Sequence, residues 1–486
     1  VTNPVLEKEK QVVKNEKRQG VDNRPYGHNQ YVIGKNLYPN DHPYNWQVIG
    51  SLNDLQNATL DDVKTFFKKW YVPNNATLVL SGELDIDKAK EWVHKYFDEI
   101  PRGREITPLK KRPGILKNTK NLYYEDNFAR VPQLTMVWPT VENYHPDSYA
   151  LEVLSQYLSN GKSAHLNQVL IDELKVTSNT SMYNYTNELA GNIQLSIRAF
   201  NNLNLNTVKE GVFKAFEKFE KEGISKKDLN RIKASQETNF YRSLSSVLGK
   251  GTNLASYNIY TGNPGYVTQD IKNTLAVNSQ DVMRVYNQYI KDKHYITTSF
   301  VPRGSSDLVI NGSVLAEVVE EKIVKGAEAD FNPNISSKYT RTPSLFDRTI
   351  EPKYGESPSL NIPNVYKSKL DNGLEIYGIK NTEVPLVSFN LTIEGGQLLE
   401  SMNKLGLANL TAQLLNKGTI DKTVKELSCF GISLDVTKSE DWENAIDHIK
   451  EKSGSLNILV NNAGIGNGGD IESTDMETWK LVHNVN

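Results

Sequence analysis

Cysteine is almost absent from this 486-residue chain, which contains a single one, Cys429. One thiol cannot form an intrachain disulfide or a cysteine-rich metal site, so both are excluded. Long apolar runs are also missing, and no stretch approaches the length that a membrane-spanning helix needs. Neither sign of charge dominates, because 56 basic side chains stand against 58 acidic ones. Nucleic acid and charged membrane surfaces are therefore not predicted as partners.

Histidine motifs of zinc enzymes are missing as well. The chain contains no H-x-x-E-H, no H-E-x-x-H and no His/Cys finger. Isolated histidines are usually structural, and we interpret His28, His42 and His165 in that way rather than as metal ligands. The sequence starts with Val1 inside a helical pattern and without a signal peptide, which leaves the compartment open.

An internal repeat is present, because residues 58–82 align without gaps with residues 277–301. Each copy predicts a capped amphipathic helix followed by a β-rich run. The capping pairs are Thr59 with Asp62 and Asn278 with Asp281, and the β-rich runs are Ala76–Leu80 and Tyr295–Ser299. Two copies of one unit, a domain's length apart, indicate duplicated α/β domains.

Between the copies, strand-like runs alternate with helical ones, which predicts an α+β domain over about residues 110–325. We expect Asp147 to cap one of its helices. Residues 326–362 are rich in Pro, Ser and Asn and are interpreted as a linker. A hairpin turning at Asn372-Gly373 is then predicted, followed by a strand, PLVSFNLTI, and a helix starting near Lys404.

The amino-terminal stretch VVKNEKRQGVDNRPYG, followed by LYPNDHPYNWQVIGS, WYVPNNATLVLSGELD and NGKSAHLNQVLIDE, resembles the pitrilysin/insulinase-type (inverzincin) zinc metallopeptidases. The resemblance covers about residues 1–428. It implies duplicated two-layer α/β domains, each an antiparallel sheet plus helices. It also implies a zinc-dependent endopeptidase that hydrolyses peptides or small proteins in a closed chamber formed with a second half or subunit.

Glu9 and Glu16 are seven residues apart and therefore share one face of a helix. Local charge density favours a solvated face for both, whereas the resemblance makes Glu16 a metal ligand and Glu9 a support that orients a histidine ligand. By the same resemblance, the catalytic H-x-x-E-H is expected upstream of Val1. We therefore expect no catalytic residue, no tight zinc binding and no peptide cleavage by this chain alone.

The start of a second, degenerate half is indicated by LDNGLEIYGIKNTEVPLVSFNLTIEGGQLLES and KLGLANLTAQLLNKGT. Where the resemblance would place H-x-x-E-H, the helix carries amide, apolar and small side chains instead, and neither an amide nor an alanine can replace the missing ligands and base. These residues are Asn409, Leu410, Thr411, Ala412 and Gln413. We expect this helix to serve in packing only.

After about residue 428 the chain instead resembles a short-chain dehydrogenase/reductase. The resemblance rests on Asp435-Val436-Thr437, Asn461-Asn462-Ala463-Gly464 and Asn486. It implies a partial Rossmann-like β-α-β fragment in which the cofactor-binding positions are Asp435, Asn461, Ala463 and Gly464. The glycine-rich phosphate loop and the Tyr-x-x-x-Lys pair are missing, so we expect these positions to be a relic that does not bind NAD(P). We also expect residues 433–486 to pack poorly against the rest.

Five segments are predicted: 1–109, the carboxy-terminal part of a first peptidase domain; 110–325, a second domain; 326–362, the linker; 363–428, the start of a third domain; and 429–486, the reductase-like fragment. The leading hypothesis is an incomplete zinc metalloendopeptidase. A non-catalytic, chamber-forming subunit is the alternative, and an NAD(P)-dependent oxidoreductase is the third. The bacterial periplasm or cell envelope is the expected location.

Overall fold

The computed structural model describes residues 1–319, 342–351, 355 and 362–414. It divides into two units, the first comprising Val1–Lys233 and Lys250–Ile350, and the second Ala234–Gly249 and Glu351–Asn486. The helices are α1 Asn3–Lys17, α2 Asn29–Leu37, α3 Leu52–Asn57, α4 Leu60–Trp70, α5 Ile86–Phe97, α6 Pro146–Ser159, α7 His165–Asn167, α8 Leu205–Glu222, α9 Lys226–Leu244, α10 Val247–Thr261, α11 Val267–Ala276, α12 Ser279–Tyr289 and α13 Leu407–Leu414.

A six-stranded sheet organises the first unit. Its strands are β1 Lys120–Asp126, β2 Gln133–Thr140, β3 Thr177–Thr186, β4 Gly191–Ala199, β5 Ile296–Pro302 and β6 Val314–Leu315, in the spatial order β3-β4-β2-β5-β1-β6. The α+β prediction is confirmed, but the sheet is mixed rather than purely antiparallel, since β1 runs parallel to β5 and β6. The long helical connection that precedes β5 permits this parallel pairing beside β1.

Both faces of the central strands are covered. On one face, α6, α8 and α12 enclose a core in which Trp138, Phe219 and Tyr286 are almost fully buried. On the other face, α2 packs Val32, Ile33 and Leu37 against the sheet. Apolar periodicity predicted α6, α8 and α12, because the apolar residues of each recur on one side.

The Asn29 side chain fastens α2 to the sheet. Its amide donates a hydrogen bond to Thr135 Oγ1 at 3.1 Å, and its oxygen accepts one from Thr298 Oγ1 at 2.6 Å. Thr135 lies on β2 and Thr298 on β5, and all three residues are buried. Pairing these polar groups removes the cost of burying them and fixes the position of α2.

The two repeat copies form the same helix but differ in the segment after it. Both predicted capping boxes are confirmed, at the starts of α4 and α12. After α12 the chain forms β5, between β1 and β2, whereas Ala76–Leu80 is not a strand. That part of the prediction was wrong. In the described part of the chain no strand precedes Lys120, so this run has no neighbouring strand from its own domain to complete its backbone hydrogen bonds.

The predicted cap of α6 is also wrong. The residue that caps this helix is His145, whose Nδ1 accepts a hydrogen bond from the Asp147 amide at 3.1 Å. Pro146 occupies the first helical position, which moves the cap one residue before it and places Asp147 inside the first turn. The Asp147 carboxylate is then available to α12, and it accepts hydrogen bonds of 2.7 Å from Arg284 Nη2 and from the Tyr289 hydroxyl.

The second unit contains the predicted hairpin. Strands β7 Val365–Lys369 and β8 Glu375–Ile379 pair antiparallel, and Gly373 adopts φ +91°, which glycine tolerates without strain. PLVSFNLTI forms an isolated bridge at Phe389 instead of a strand, so that prediction was wrong; the ladder of the hairpin itself ends at Ile379. The helix expected near Lys404 begins at Leu407. Most of the predicted linker lies outside the described residues.

Candidate functional site

Helix α1 carries Glu16, the predicted metal ligand. The sequence predicted that the lysines of this helix would be exposed, and the structure shows the opposite for three of them. Glu9 and Glu16 are both exposed, whereas Lys10, Lys14 and Lys17 are buried. Lysine stems are apolar enough to pack on a neighbouring element while their ammonium groups reach polar atoms. Here the ammonium groups of Lys10 and Lys14 donate to the backbone and side-chain oxygens of Gln56, at the end of α3.

The described residues do not form a zinc site. Within them, no group of three or more His, Cys, Asp or Glu side chains is arranged to hold a metal ion. Glu9 and Glu16 are on the same helix face, but a catalytic zinc requires about three protein ligands, and a single carboxylate does not meet that requirement. The residues present therefore do not fit zinc on their own.

The buried lysine face of α1 opens into a cavity of about 1000 Å³, which we call the basic cleft. Its cationic lining consists of Lys14, Lys17 and Arg18 at the end of α1 and Lys35 on α2. Its remaining lining includes aromatic, aliphatic and amide side chains together with one carboxylate. These are His28, Tyr31, Trp46, Gln47, Gly50, Ser51, Leu52, Asn53, Asp54, Gln56, Val318 and Val319.

Ammonium groups in the basic cleft contact both amide and carboxylate oxygens. Lys35 Nζ lies 2.9 Å from Asn45 Oδ1, and Lys14 Nζ donates to Gln56 Oε1. Lys17 pairs with Asp22 at 3.0 Å. Sequence reasoning missed Lys35 and Trp46, although the Tyr31 to Lys35 spacing places an aromatic and a basic side chain on one helix face.

The histidines have local structural contacts, in agreement with their interpretation from sequence. His42 is fully buried; its Nε2 is 3.0 Å from the Arg112 carbonyl, and its Nδ1 accepts from the Tyr44 amide at 3.0 Å. His165 Nε2 lies 3.1 Å from Glu222 Oε2. Burial lowers the pKa of both His42 and His165, which keeps these imidazoles neutral near pH 7. His28 contacts the Tyr124 ring edge-on.

The other residues for which the sequence predicted a role lie far along the chain from those that line the basic cleft. Asn409 through Gln413 form part of α13, where Asn409 Oδ1 accepts from Gln413 Nε2 at 3.3 Å. The leucines Leu410 and Leu414 are about half exposed, so no packing role is visible for this helix in the part of the chain that the structure describes. The reductase-like positions Asp435, Asn461, Ala463 and Gly464 lie outside the described residues, as does the predicted poor packing of residues 433–486.

The described residues form a mixed sheet covered by helices, and comparison shows a likeness to the zinc peptidase class. Residues 57–236 match the family model of the Peptidase M16 inactive domain. Residues 396–486 match that of short chain dehydrogenase, which starts upstream of the predicted join near residue 429. Both resemblances predicted from the sequence are therefore confirmed.

Particular relatives agree with this class. The zinc protease PqqE of Helicobacter pylori is 28% identical over 298 residues, which are 60% of this chain and 66% of that protein. A crystal structure of a protease from Helicobacter pylori superposes with a TM-score of 0.57 at 25% identity and covers 62% of this chain and 73% of its own. The Peptidase M16 inactive domain from Pseudomonas fluorescens, 16% identical with a TM-score of 0.53, shares the fold over 62% of this chain and 71% of its own.

The reductase-like part has its own relative. Trans-4-hydroxycyclohexanecarboxylate dehydrogenase of Sinomonas cyclohexanicum is 43% identical over 49 residues, which are 10% of this chain and 19% of that protein. The chain thus spans just under two thirds of PqqE and about a fifth of this dehydrogenase. Among the described residues, no helix combines the length and apolar character needed to cross a membrane.

Proposed function

We propose that this chain is an incomplete zinc metalloendopeptidase of the M16 type. In this proposal Glu16 supplies one metal ligand and Glu9 supports it, while the histidine ligands and the base come from residues outside these 486. The observation that carries the proposal is the likeness of the chain to zinc proteases in sequence and fold; the exposure of Glu9 and Glu16 on one face of α1 is what a solvated face also predicts, so it does not by itself favour a metal ligand. An exposed carboxylate is accessible to a metal whose other ligands approach from another segment.

The chain on its own is expected to be inactive. The described side chains form no three-residue ligand set and the sequence has no H-x-x-E-H, so the zinc-bound water that such a site would activate is not expected in this chain alone. Peptides or small proteins remain the proposed substrates of the complete enzyme, and a second half or subunit its proposed partner. The periplasmic or envelope location stays a prediction.

The role of Glu16 is tested on the complete coding sequence, obtained by sequencing the DNA on the 5′ side of the Val1 codon. Glu16→Gln should lower the zinc content and the chelator-sensitive hydrolysis of a fluorogenic peptide, because an amide is a poor zinc ligand. Glu91→Gln is the matched control, since Glu91 is also an exposed helical glutamate, on α5. Equal zinc content in the two variants would refute the assignment of Glu16.

The second candidate is a chamber-forming subunit that never binds zinc. It is favoured by the match of residues 57–236 to a domain described as inactive. The same 5′ sequence separates the two proposals, because an intact H-x-x-E-H in frame supports the peptidase and a degenerate motif supports the subunit. No oxidoreductase activity is proposed for the reductase-like part, since its phosphate loop and catalytic pair are missing from the sequence.

A further inference from the structure

We propose that an apolar surface around α4 docks a β-sheet supplied by residues outside these 486. We call this surface the open face, and it consists of Phe66 and Phe67 on α4 with Leu78 and Leu80 in the run after it. The inference rests on the proposed function for the source of the sheet, because that proposal places part of the peptidase outside the chain. It rests on the second repeat copy for the shape of the sheet, because the equivalent surface is covered there.

The aromatic residues of α4 are exposed where their counterparts are buried. In the gap-free alignment of the two copies, Phe66 and Phe67 correspond to Val285 and Tyr286 of α12. The two phenylalanines are 59% and 57% exposed, whereas Val285 and Tyr286 belong to the buried core. Contiguous apolar surface is unfavourable in water and marks an interaction site.

The run after α4 shows the same contrast. Residues 78–80 are Leu-Val-Leu, a continuous apolar stretch that is typical of a strand covered on both faces. Leu78 and Leu80 are nevertheless 53% and 47% exposed, whereas their counterparts on β5, Thr297 and Ser299, are fully buried. The composition of this run therefore fits an inner strand of a sheet.

Helix α10 covers the opposite side of the run. Asn258 Nδ2 on α10 donates a hydrogen bond of 2.9 Å to Thr77 Oγ1. The α10 backbone at Gly251 is so close that a Cβ there would lie 3.9 Å from Val79 Cγ1. Since alternate side chains of an extended chain point to opposite sides, Thr77 and Val79 face α10, and the two leucines of the open face point away from it.

The second copy contains the same contact. Val79 corresponds to Thr298 of β5, and Thr298 donates its hydrogen bond to Asn29 of α2. Helix α10 thus contacts the first copy as α2 contacts the second. Because this side of each copy is covered by an equivalent helix, the open face corresponds to the surface that the neighbouring strands and helices cover in the second copy.

The cover of the second copy defines the partner. Strand β5 lies between β1, which runs parallel to it, and β2, which runs antiparallel. The Tyr286 ring of α12 packs 5.0 Å from that of Phe219 on α8. The partner of the open face should therefore supply one strand parallel and one antiparallel to residues 77–82, together with an apolar helix over the two phenylalanines.

Hydrogen–deuterium exchange measured by mass spectrometry tests the docking. The 486-residue chain is compared with the complete polypeptide, encoded together with the DNA on the 5′ side of the Val1 codon, both in buffer with excess chelator. In the complete polypeptide the amides of residues 78–82 should exchange at least about a hundredfold more slowly, because ladder hydrogen bonds protect them. Residues 297–301 of β5 are the control and should be equally protected in both proteins.

Matched variants locate the surface. Phe67→Ala should leave the urea midpoint of the 486-residue chain nearly unchanged, because this side chain is exposed there, but should lower that of the complete polypeptide by about 1 M. Tyr286→Ala, at the equivalent buried position, should lower the midpoint of both proteins. If Tyr286→Ala does not fold, Val285→Ala is the milder control at the neighbouring buried position.

Equal exchange of residues 78–82 in the two proteins, or an unchanged midpoint for Phe67→Ala in the complete polypeptide, would overturn the inference. A reading frame that closes directly before Val1 would do so as well. If the 486-residue chain already protects these amides and sediments as a dimer, the occupant is a second copy and the inference is wrong. None of these readouts involves zinc, so a degenerate H-x-x-E-H would refute the proposed peptidase without deciding the docking.

Discussion

The contact between α6 and α12 depends on one carboxylate, and replacing it should destabilise the first unit measurably. Asp147 has a side chain only 11% exposed and accepts hydrogen bonds of 2.7 Å from Arg284 and Tyr289. Asp147→Asn keeps the shape but removes the charge and directs an amide donor at donors. A hydrogen bond to a charged group contributes about 1.5–3 kcal/mol. Because Arg284 is 48% exposed, we expect a loss of about 2 kcal/mol in total.

A double-mutant cycle measures this interaction. Urea denaturation followed by circular dichroism should show Asp147→Asn losing about 2 kcal/mol and Tyr289→Phe about 1 kcal/mol. The double variant should lose less than the sum, because both changes remove the same hydrogen bond. Asp172→Asn, at an exposed position, is the control and should be near neutral. Additive losses, or an Asp147→Asn value equal to that of Asp172→Asn, would refute the reasoning.

The same carboxylate gives the interaction a pH dependence. Burial raises the pKa of Asp147, but the hydrogen bonds from Arg284 and Tyr289 lower it by more in sum, so the pKa lies below its ordinary value. The stabilisation is therefore present above the unfolded pKa of about 3.9 and is lost as the pH falls from there through the folded pKa. In Asp147→Asn this acid-sensitive component should disappear.

Three further outcomes are expected. Glu99 accepts hydrogen bonds from residues 344–348, which hold its pKa at about 2, so Glu99→Gln should speed tryptic cleavage after Arg348, measured by mass spectrometry. Burial lowers the pKa of His165 despite the hydrogen bond with Glu222, so unfolding free energy should fall as the pH drops below about 6.5, and His165→Gln should reduce that slope in urea titrations at several pH values. Asn29→Ala should cost about 1–3 kcal/mol in urea denaturation, because the buried Thr298 hydroxyl loses its acceptor and the buried Thr135 hydroxyl loses one of its donors. An unchanged cleavage rate, pH slope or unfolding free energy would contradict the respective reasoning.

Much of the first unit can be predicted from local pattern. Apolar spacing predicted α8 and α12, because the buried residues of each helix recur at the helical period. The capping boxes were predictable for the same reason, since all of their atoms lie within four residues. Patterns within one segment do not indicate which distant segment pairs with it or packs against it. They therefore missed the parallel pairing of β1 with β5 and predicted a strand at Ala76–Leu80.

The candidate site shows the same limit. A helix rich in both Lys and Glu could bury either its lysine face or its glutamate face, and its composition predicts that both faces are exposed to solvent. Burial of the lysine face of α1 is decided by Gln56, an acceptor some forty residues further along the chain. Lys35 and Trp46 join the basic cleft through the packing of α2 and the loop after it, which no spacing within α1 could indicate.

Zinc stoichiometry tests the central claim most directly. The purified full chain is incubated with zinc, dialysed against metal-free buffer and analysed by inductively coupled plasma mass spectrometry, with a fluorogenic peptide assay on the same sample. We expect zinc far below one equivalent per chain and no chelator-sensitive hydrolysis, because Glu16 is a lone exposed ligand. One retained zinc per chain together with chelator-sensitive turnover would contradict the assignment of this chain as an incomplete peptidase.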